Sequence, residues 1–387
     1  MRITQLHNAY LERGGEDAVF EAEGDLLQNN GHEVFQHVVP NSDISGPVAK
    51  IKTAFGAGYN RPIARWMKDH IRQFKPDIIH IHNFFPRISL AAHAVAISMG
   101  VPVVQTLHNY RLTCAGAMHL RDEKICESCS ATWKLPAMRH RCYRGSLAGT
   151  ASVLLMQNHA RRVLGQPRVH MIALTEFMRS RLIAAGYPAS QISVKPNFVK
   201  RPPMRVAGPR EGLLFVGRLS KEKGARHLIS AMRGLPDLTL SVVGTGPEMA
   251  DLRAMAPKNV RFLGALAPSA VMAEMQNARA LVMPSLWFEG LPMTLIEAFA
   301  NGTPVIGPQH GALGTLIEDG RTGVVMPEVS AADIIAAVRR FDALDYGQLA
   351  RNIQARYEAL YTPQASYQML MMLYAKMGAA QKESPTK

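Results

Sequence analysis

The chain has 387 residues, 47% of them hydrophobic, which is enough for two or three well-cored domains and too apolar for a disordered chain. Its formal net charge of +14 is uneven: residues 1–200 carry 24 Lys/Arg against 14 Asp/Glu, residues 201–387 carry 20 against 16, so a polyanionic neighbour such as an anionic membrane surface or a phosphorylated substrate is expected. The 7% aromatic content, with no stacking motif between the basic runs, argues against nucleic acid as that neighbour, and the apolar stretch 88–107 is broken by Gly100-Val-Pro102 and does not span a bilayer.

Residues 1–8 read as a first strand without the apolar core of an export signal, so a cytoplasmic protein is expected, peripheral on the inner face of the membrane. The following loop ends in Gly14-Gly15 and opens a helix to about Asn30. Glycines there let a phosphate or sugar come close to the backbone, with the helix start behind it, or they form no more than a turn. A strand is predicted over 34–39 and a basic helix over 62–74. The stretch Lys50 to Lys75 holds seven basic residues and one acidic, and Lys134 to Arg181 holds nine against one. Strands follow over 77–82 and 101–108. His80 and His82 share one face of the first of these and read as structural or acceptor-side groups. His108 ends the second, where it could hydrogen-bond a sugar hydroxyl or tune a reacting centre. Strands over 171–175 and 192–195 complete a parallel sheet wrapped by helices.

Residues 110–145 interrupt this alternation without a helical or strand period. They carry Cys114, Cys126, Cys129 and Cys142, with gaps of eleven, two and twelve residues. A central Cys-x-x-Cys flanked by two more thiols could make a tetrahedral structural zinc site, or the four are reduced thiols in an insertion. A loop of that length inside a compact domain needs something to hold it. Its expected role is acceptor recognition.

The Pro/Gly-rich stretch 201–210 reads as a linker. Beyond it, strands over 212–216, 239–243, 260–263, 280–283, 304–306 and 323–326 alternate with helices, and 349–377 reads as helical. Gly217-Arg218-Leu-Ser-Lys-Glu-Lys223-Gly224 ends the first of these strands. Arg218 and Lys223 could neutralise a diphosphate leaving group. Gly244-Thr-Gly246 ends the second; the turn admits a flat ring, but Met249 takes the third glycine position of a dinucleotide fingerprint. Pro284-Ser-Leu-Trp-Phe-Glu289-Gly290-Leu291-Pro-Met293-Thr294-Leu295-Ile-Glu297 is the richest stretch. Eight helical residues advance about 12 Å, so a turn glutamate and a helix glutamate can hold two ends of one polar ligand. The free N–H groups of Met293 to Leu295 would form an anion site between them. No Asp-x-Asp occurs, so a metal-bridged diphosphate is not indicated.

Together, Glu289-x7-Glu297, the Gly217–Gly224 loop, Val-Gly244-x-Gly246-Pro-Glu, Gly14-Gly15 and Gly302-Thr-Pro304-Val-Ile resemble the retaining glycosyltransferases of family 4. The resemblance covers nearly the whole chain. It implies an α/β GT-B architecture: two doubly wound Rossmann-like domains facing a central cleft. Residues 1–200 would bind the acceptor, with the insertion at 110–145. Residues 201–363 would bind the nucleotide-sugar, and 364–387 would form a C-terminal helix and polar tail. The resemblance further implies transfer of a sugar from a UDP-, GDP- or ADP-sugar, with retention and without a catalytic metal, to a lipid-linked or polysaccharide acceptor. Glu289 would contact donor hydroxyls, Glu297 the ribose, and Arg218 and Lys223 the diphosphate. Gly14, Gly15 and His108 would line the reacting centre, while Gly217, Gly244, Gly246, Gly290, Leu291, Met293, Thr294 and Leu295 complete the donor-binding set. The cysteine-bearing insertion resembles a bacterial subgroup associated with cell-surface polysaccharide assembly. In a departure from the family, the Gly and Asp that often follow Pro-Asn are missing after Pro196-Asn197. The rival readings are a sugar-nucleotide epimerase on the same plan and a basic nucleic-acid-binding module.

Overall fold

The structure, a computed structural model, describes residues 1–9, 14–41, 59–129, 133–203 and 209–382. Part of the expected Gly14-Gly15 loop, the first residues of the basic run 50–75 and the middle of the linker 201–210 lie outside the described residues. The chain divides into two units. One comprises Met1–Met118, Glu127–Pro196 and Ser366–Lys387, the other His119–Cys126 and Asn197–Ala365.

The main sheet of the first unit is built from β1 (Arg2–Ala9), β2 (Glu33–Pro40), β3 (Ile78–Asn83) and β4 (Val103–Leu107). The chain then makes a small antiparallel ribbon, β5 (Leu120–Arg121) and β6 (Lys124–Ile125), before returning to the sheet in β7 (Val169–Ala173) and β8 (Ile192–Val194). Sheet order is β2-β1-β3-β4-β7-β8, all parallel. A parallel sheet is covered by helices on both faces, so its strands need apolar residues throughout. β1 breaks that expectation: Thr4, Gln5, His7 and Asn8 are all buried. Buried polar groups must find partners, and each of these side chains makes at least one hydrogen bond, although His7 Nδ1 has none among the described residues. Thr4 Oγ1 meets His70 Nε2 at 2.8 Å, Gln5 donates to Glu23 at 3.1 Å, His7 meets Asp17 at 2.8 Å, and Asn8 donates to the Val39 carbonyl at 3.0 Å. Polarity at the centre of this sheet is thus built into its first strand.

Helix starts follow local capping chemistry. The Asn60, Ser146 and Thr175 side chains accept from the N–H groups of Ile63, Gly149 and Met178 and open helices Arg61–Phe74, Leu147–Leu164 and Glu176–Ala184. The apolar core gathers Ile3, Leu27, Ile78, Val104 and Ile172 with Leu370, Leu373, Tyr374 and Met377 of the last helix, Pro363–Lys382. That helix is therefore part of the first unit from Ser366 onward, not a separate appendage. The helical stretch expected at 349–377 is interrupted: Tyr346–Leu360 ends before Pro363, whose ring fits only a first helical turn.

In the second unit, β9 (Leu213–Val216), β10 (Leu240–Val243), β11 (Val260–Gly264), β12 (Ala280–Val282), β13 (Val305–Pro308) and β14 (Gly323–Met326) form a parallel sheet in the order β11-β10-β9-β12-β13-β14. Strand order reverses between β9 and β12, and in such sheets the crevice beyond the carboxyl ends of those two strands is the ligand site. The loops after β9 and β12 are stitched together there. Leu286 N–H donates to the Glu222 carbonyl at 2.9 Å. Gly224 has φ +67°, and a Cβ on it would lie 1.9 Å from the Pro284 carbonyl oxygen. Only glycine fits that crossing.

Candidate functional site

The second unit gathers most of the expected donor-binding residues at its switch point. Glu289 is 4% exposed. Its Oε1 accepts from Ser285 Oγ at 2.7 Å and from Lys223 Nζ at 2.8 Å. A buried carboxylate is tolerated because both donors come from fixed loops. The Lys223 ammonium also stands 5.1 Å from the Trp287 ring centroid, a cation–π contact that limits its freedom. Glu289 and Lys223, assigned by sequence to sugar and diphosphate respectively, thus form one ion pair in this structure. Arg218 lies exposed at the end of β9.

The helix after β12 is Met293–Ala300, with Pro292 at its N-cap and no side-chain cap. The N–H groups of Met293 and Thr294 have no partner among the described residues, whereas Leu295 N–H donates to the Pro292 carbonyl at 3.1 Å. The expected anion site is therefore two N–H groups wide, not three; the tight first turn consumes the third. Glu297 sits half-buried on this helix, and its carboxyl makes no hydrogen bond or ion pair among the described residues. Burial raises its pKa. Gly290 and Leu291 lead into this turn, Gly290 half-exposed and Leu291 buried. The Gly244–Gly246 turn also has a structural reason for its glycines. With φ +129° at Gly244, a Cβ would sit 1.9 Å from the Gly217 carbonyl oxygen, and one at Gly246 would sit 2.3 Å from that of Leu219. Glycine is required there by the close pass of the loops after β9 and β10.

In the first unit His108 ends β4, buried, with Nε2 3.2 Å from His82 Nδ1. His82 Nε2 in turn lies 3.0 Å from Glu23 Oε1. A carboxylate only accepts, so His82 carries its proton on Nε2 and accepts on Nδ1. His108 must then donate from Nε2, which leaves its Nδ1 as a lone-pair acceptor. This tautomer is assigned from the network. Burial pulls the His108 pKa well below the ordinary value. Burial also lowers His82 to about 4. Burial alone would raise the Glu23 carboxyl, but the Lys195 ammonium, 3.0 Å from Oε2, and the two histidines outweigh it and hold it well below the carboxylate range. Glu23 and Lys195 were not anticipated as part of this arrangement. One signal was available: Glu23 stands on the buried stripe Val19, Phe20, Leu27 of helix Gly15–Asn29, where a charge demands a buried partner. Gly14 and Gly15 are exposed at the start of that helix, and Asp17 holds the turn by accepting from Gly14 N–H at 2.8 Å while bonding His7.

Glu23, His80 and His82 are the one group of three or more metal-ligating side chains within 4.8 Å among the described residues. Their atoms are already committed. His80 Nε2 meets Thr106 at 2.7 Å, His80 Nδ1 meets Tyr374 at 2.7 Å and Glu23 at 3.0 Å, and Lys195 takes the other Glu23 oxygen. A network with a lysine in it is a closed polar core, not a cation site. The four cysteines are half-buried free thiols. Cys114, Cys129 and Cys142 of the first unit do not bring their sulfurs within 4.8 Å of one another, against a spacing of about 3.8 Å in a tetrahedral Zn–S site. Cys126 stands at the end of the ribbon counted with the second unit.

The sequence matches two families: Glycosyltransferase Family 4 over residues 3–201 and Glycosyl transferases group 1 over residues 200–356. Glycogen synthase of Mycobacterium tuberculosis is 30% identical over 277 residues, which is 69% of this chain and 60% of that protein, so the match leaves two fifths of that relative uncovered. The GDP-mannose-dependent alpha-mannosyltransferase of Corynebacterium glutamicum is 25% identical over 381 residues, 97% of this chain and 85% of that one. Among solved structures, Anabaena HepE in complex with UDP superposes with a TM-score of 0.69 at 16% identity, over 97% of this chain and 100% of that one. At that identity the likeness speaks for the GT-B fold. The epimerase reading finds no support in these matches. With just over half of its residues matched by one profile and most of the remainder by the other, the chain belongs to glycosyltransferase family 4.

Proposed function

We propose that the protein is a retaining glycosyltransferase that moves a sugar from a nucleoside-diphosphate donor, held by the second unit, to an acceptor engaged by the first. The observation that carries this reading is the Glu289–Lys223 pair beside an uncapped helix start and an unpartnered Glu297, all at the strand-order reversal. Glu289, fixed by Ser285 and Lys223, would accept from donor-sugar hydroxyls. The Met293 and Thr294 N–H groups, with Arg218 and Lys223, would stabilise the leaving diphosphate. Glu297 would take the ribose hydroxyls. Catalysis would then be leaving-group stabilisation and positioning, without a divalent metal. His108 would present Nδ1 as an acceptor near the reacting centre.

The donor reading is supported by HepE having been solved with UDP and by the mannosyltransferase being named for GDP-mannose. The acceptor would be lipid-linked or a polysaccharide, met at an anionic membrane surface. In support, helix Arg61–Phe74 exposes Arg61, Arg65, Lys68 and Arg72, and the insertion exposes Trp133 and Leu135. No helix among the described residues is long and apolar enough to cross a membrane. A thermal-shift screen against UDP-, GDP- and ADP-sugars tests the proposal, because a ligand of the native state raises its melting point. One nucleotide series is expected to stabilise the protein; no shift from any of them would sink the donor assignment.

A further inference from the structure

A small recess opens in the first unit at the ends of β3 and β4. It is partly open to solvent, and His82, Phe85, Thr106, His108, Asn109 and Arg111 are among the residues that line it. Arg111 is held in place from three directions. Its backbone N–H donates to Asn109 Oδ1 at 3.0 Å, and its carbonyl accepts from Gln157 at 2.6 Å. Its guanidinium lies 5.1 Å from the Phe85 ring centroid and 5.4 Å from that of Tyr143. Yet the charged head has no carboxylate partner among the described residues, and its Nη1 is buried with no acceptor. Rings on a guanidinium fix its plane but satisfy none of its N–H groups. A buried cationic donor left unpaired is costly, and such a group deserves an explanation.

We infer that Arg111 binds an oxyanion, phosphate or carboxylate, carried by the acceptor. The inference rests on the acceptor role given above to the first unit. A planar fork pre-oriented by aromatic stacking suits two-point recognition of such a group. His108 Nδ1, without a protein partner among the described residues, would be available to a hydroxyl of the same molecule. The acceptor class this predicts is a sugar or lipid bearing a negative charge close to the hydroxyl that is glycosylated.

The test uses the full chain, saturated with whichever nucleoside diphosphate stabilises it, so that the donor site is filled. Octyl phosphate, octanoate and neutral octyl glucoside are titrated below their micelle concentrations against wild type, Arg111→Gln and Arg111→Lys. The wild type is expected to be stabilised by an anionic probe and not by the glucoside, and the stronger of the two anions identifies the group. Arg111→Gln should weaken that binding about tenfold or more, and Arg111→Lys by less. Equal affinity in wild type and Arg111→Gln, or equal binding of the neutral probe, would overturn the assignment. Should Arg111→Gln lack a cooperative melt, Arg111→Lys carries the test, and undiminished anion binding there refutes the two-point fork. Repeating the titration without nucleotide separates the claims: failure of every nucleotide to bind removes the donor reading and leaves the Arg111 result standing by itself.

Discussion

At the scale of single residues, the two glutamates of the donor region play different parts although the sequence presents them as a pair. Glu289 is buried and paired, while Glu297 is half-buried with no partner among the described residues. Glu289→Ala should lower kcat/KM by on the order of 10²–10³. It should leave the fold intact, since the Lys223 side chain, 24% exposed, can turn to water. Steady-state kinetics with a melting curve checks both, and near wild-type turnover would refute the role. Glu297→Gln should instead act on donor binding, raising KM about tenfold with a smaller change in kcat. Glu289 and Glu297 were legible from their spacing around a strand–turn–helix. Lys195 was not, because its partner Glu23 is 172 residues away. Lys195→Met strands a buried carboxylate and should cost about 3–5 kcal/mol, read in a denaturation series; a loss below 1 kcal/mol would show that the pair is not held as described.

At the scale of elements, the loops after β9 and β12 depend on each other. Gly224 reads in the sequence as a helix start in a basic loop. Its reason is the Pro284 carbonyl of another element, against which a Cβ would lie at 1.9 Å. Gly224→Ala must both enter a left-handed conformation and displace that backbone. It should destabilise the protein by more than about 2 kcal/mol, roughly 4–8 °C in melting temperature, and disturb the Lys223–Glu289 pair beside it. A melting point within 1 °C of wild type would mean that the crossing is looser than it stands here. The insertion behaved otherwise: its lack of period was legible and corresponds to turns, a two-residue-per-strand ribbon and the short helix Leu135–Arg139. The zinc expected to hold it was an inference from cysteine spacing alone, and metal analysis of the purified chain is the direct check.

At the scale of the whole molecule, the chain ends by returning to where it began. Tyr374, in the last helix, is fully buried and meets His80 of β3 at 2.7 Å. Ending the chain after Thr362 should therefore unfold the first unit preferentially, seen as loss of its protection in hydrogen exchange while the second sheet stays protected. The buried histidines add a pH dependence. His82, His93 and His170 are pulled by burial from 6.5 to about 4. The unfolded chain takes up protons on them below pH 6.5 that the folded chain refuses. Stability is thus full above about pH 6.5 and falls between there and pH 4. Glu23, held below its ordinary 4.5, adds a further loss in more acid solution. Denaturant midpoints from pH 8 to 4 check this; a midpoint flat across the window would contradict neutral buried histidines.

By itself the sequence determined the two parallel sheets, the approximate strands, the loops at their carboxyl ends and the family, because these rest on local periodicity, turn chemistry and short motifs. Tertiary structure alone decided that Glu23 and Lys195 stand behind His82 and His108, that Lys223 is bound to Glu289, that Arg111 is stacked but unpaired, and that the last helix belongs with the first strands. Each of these joins residues far apart in the chain, and their partnership follows from burial and the need to satisfy buried charge, neither of which a local pattern records.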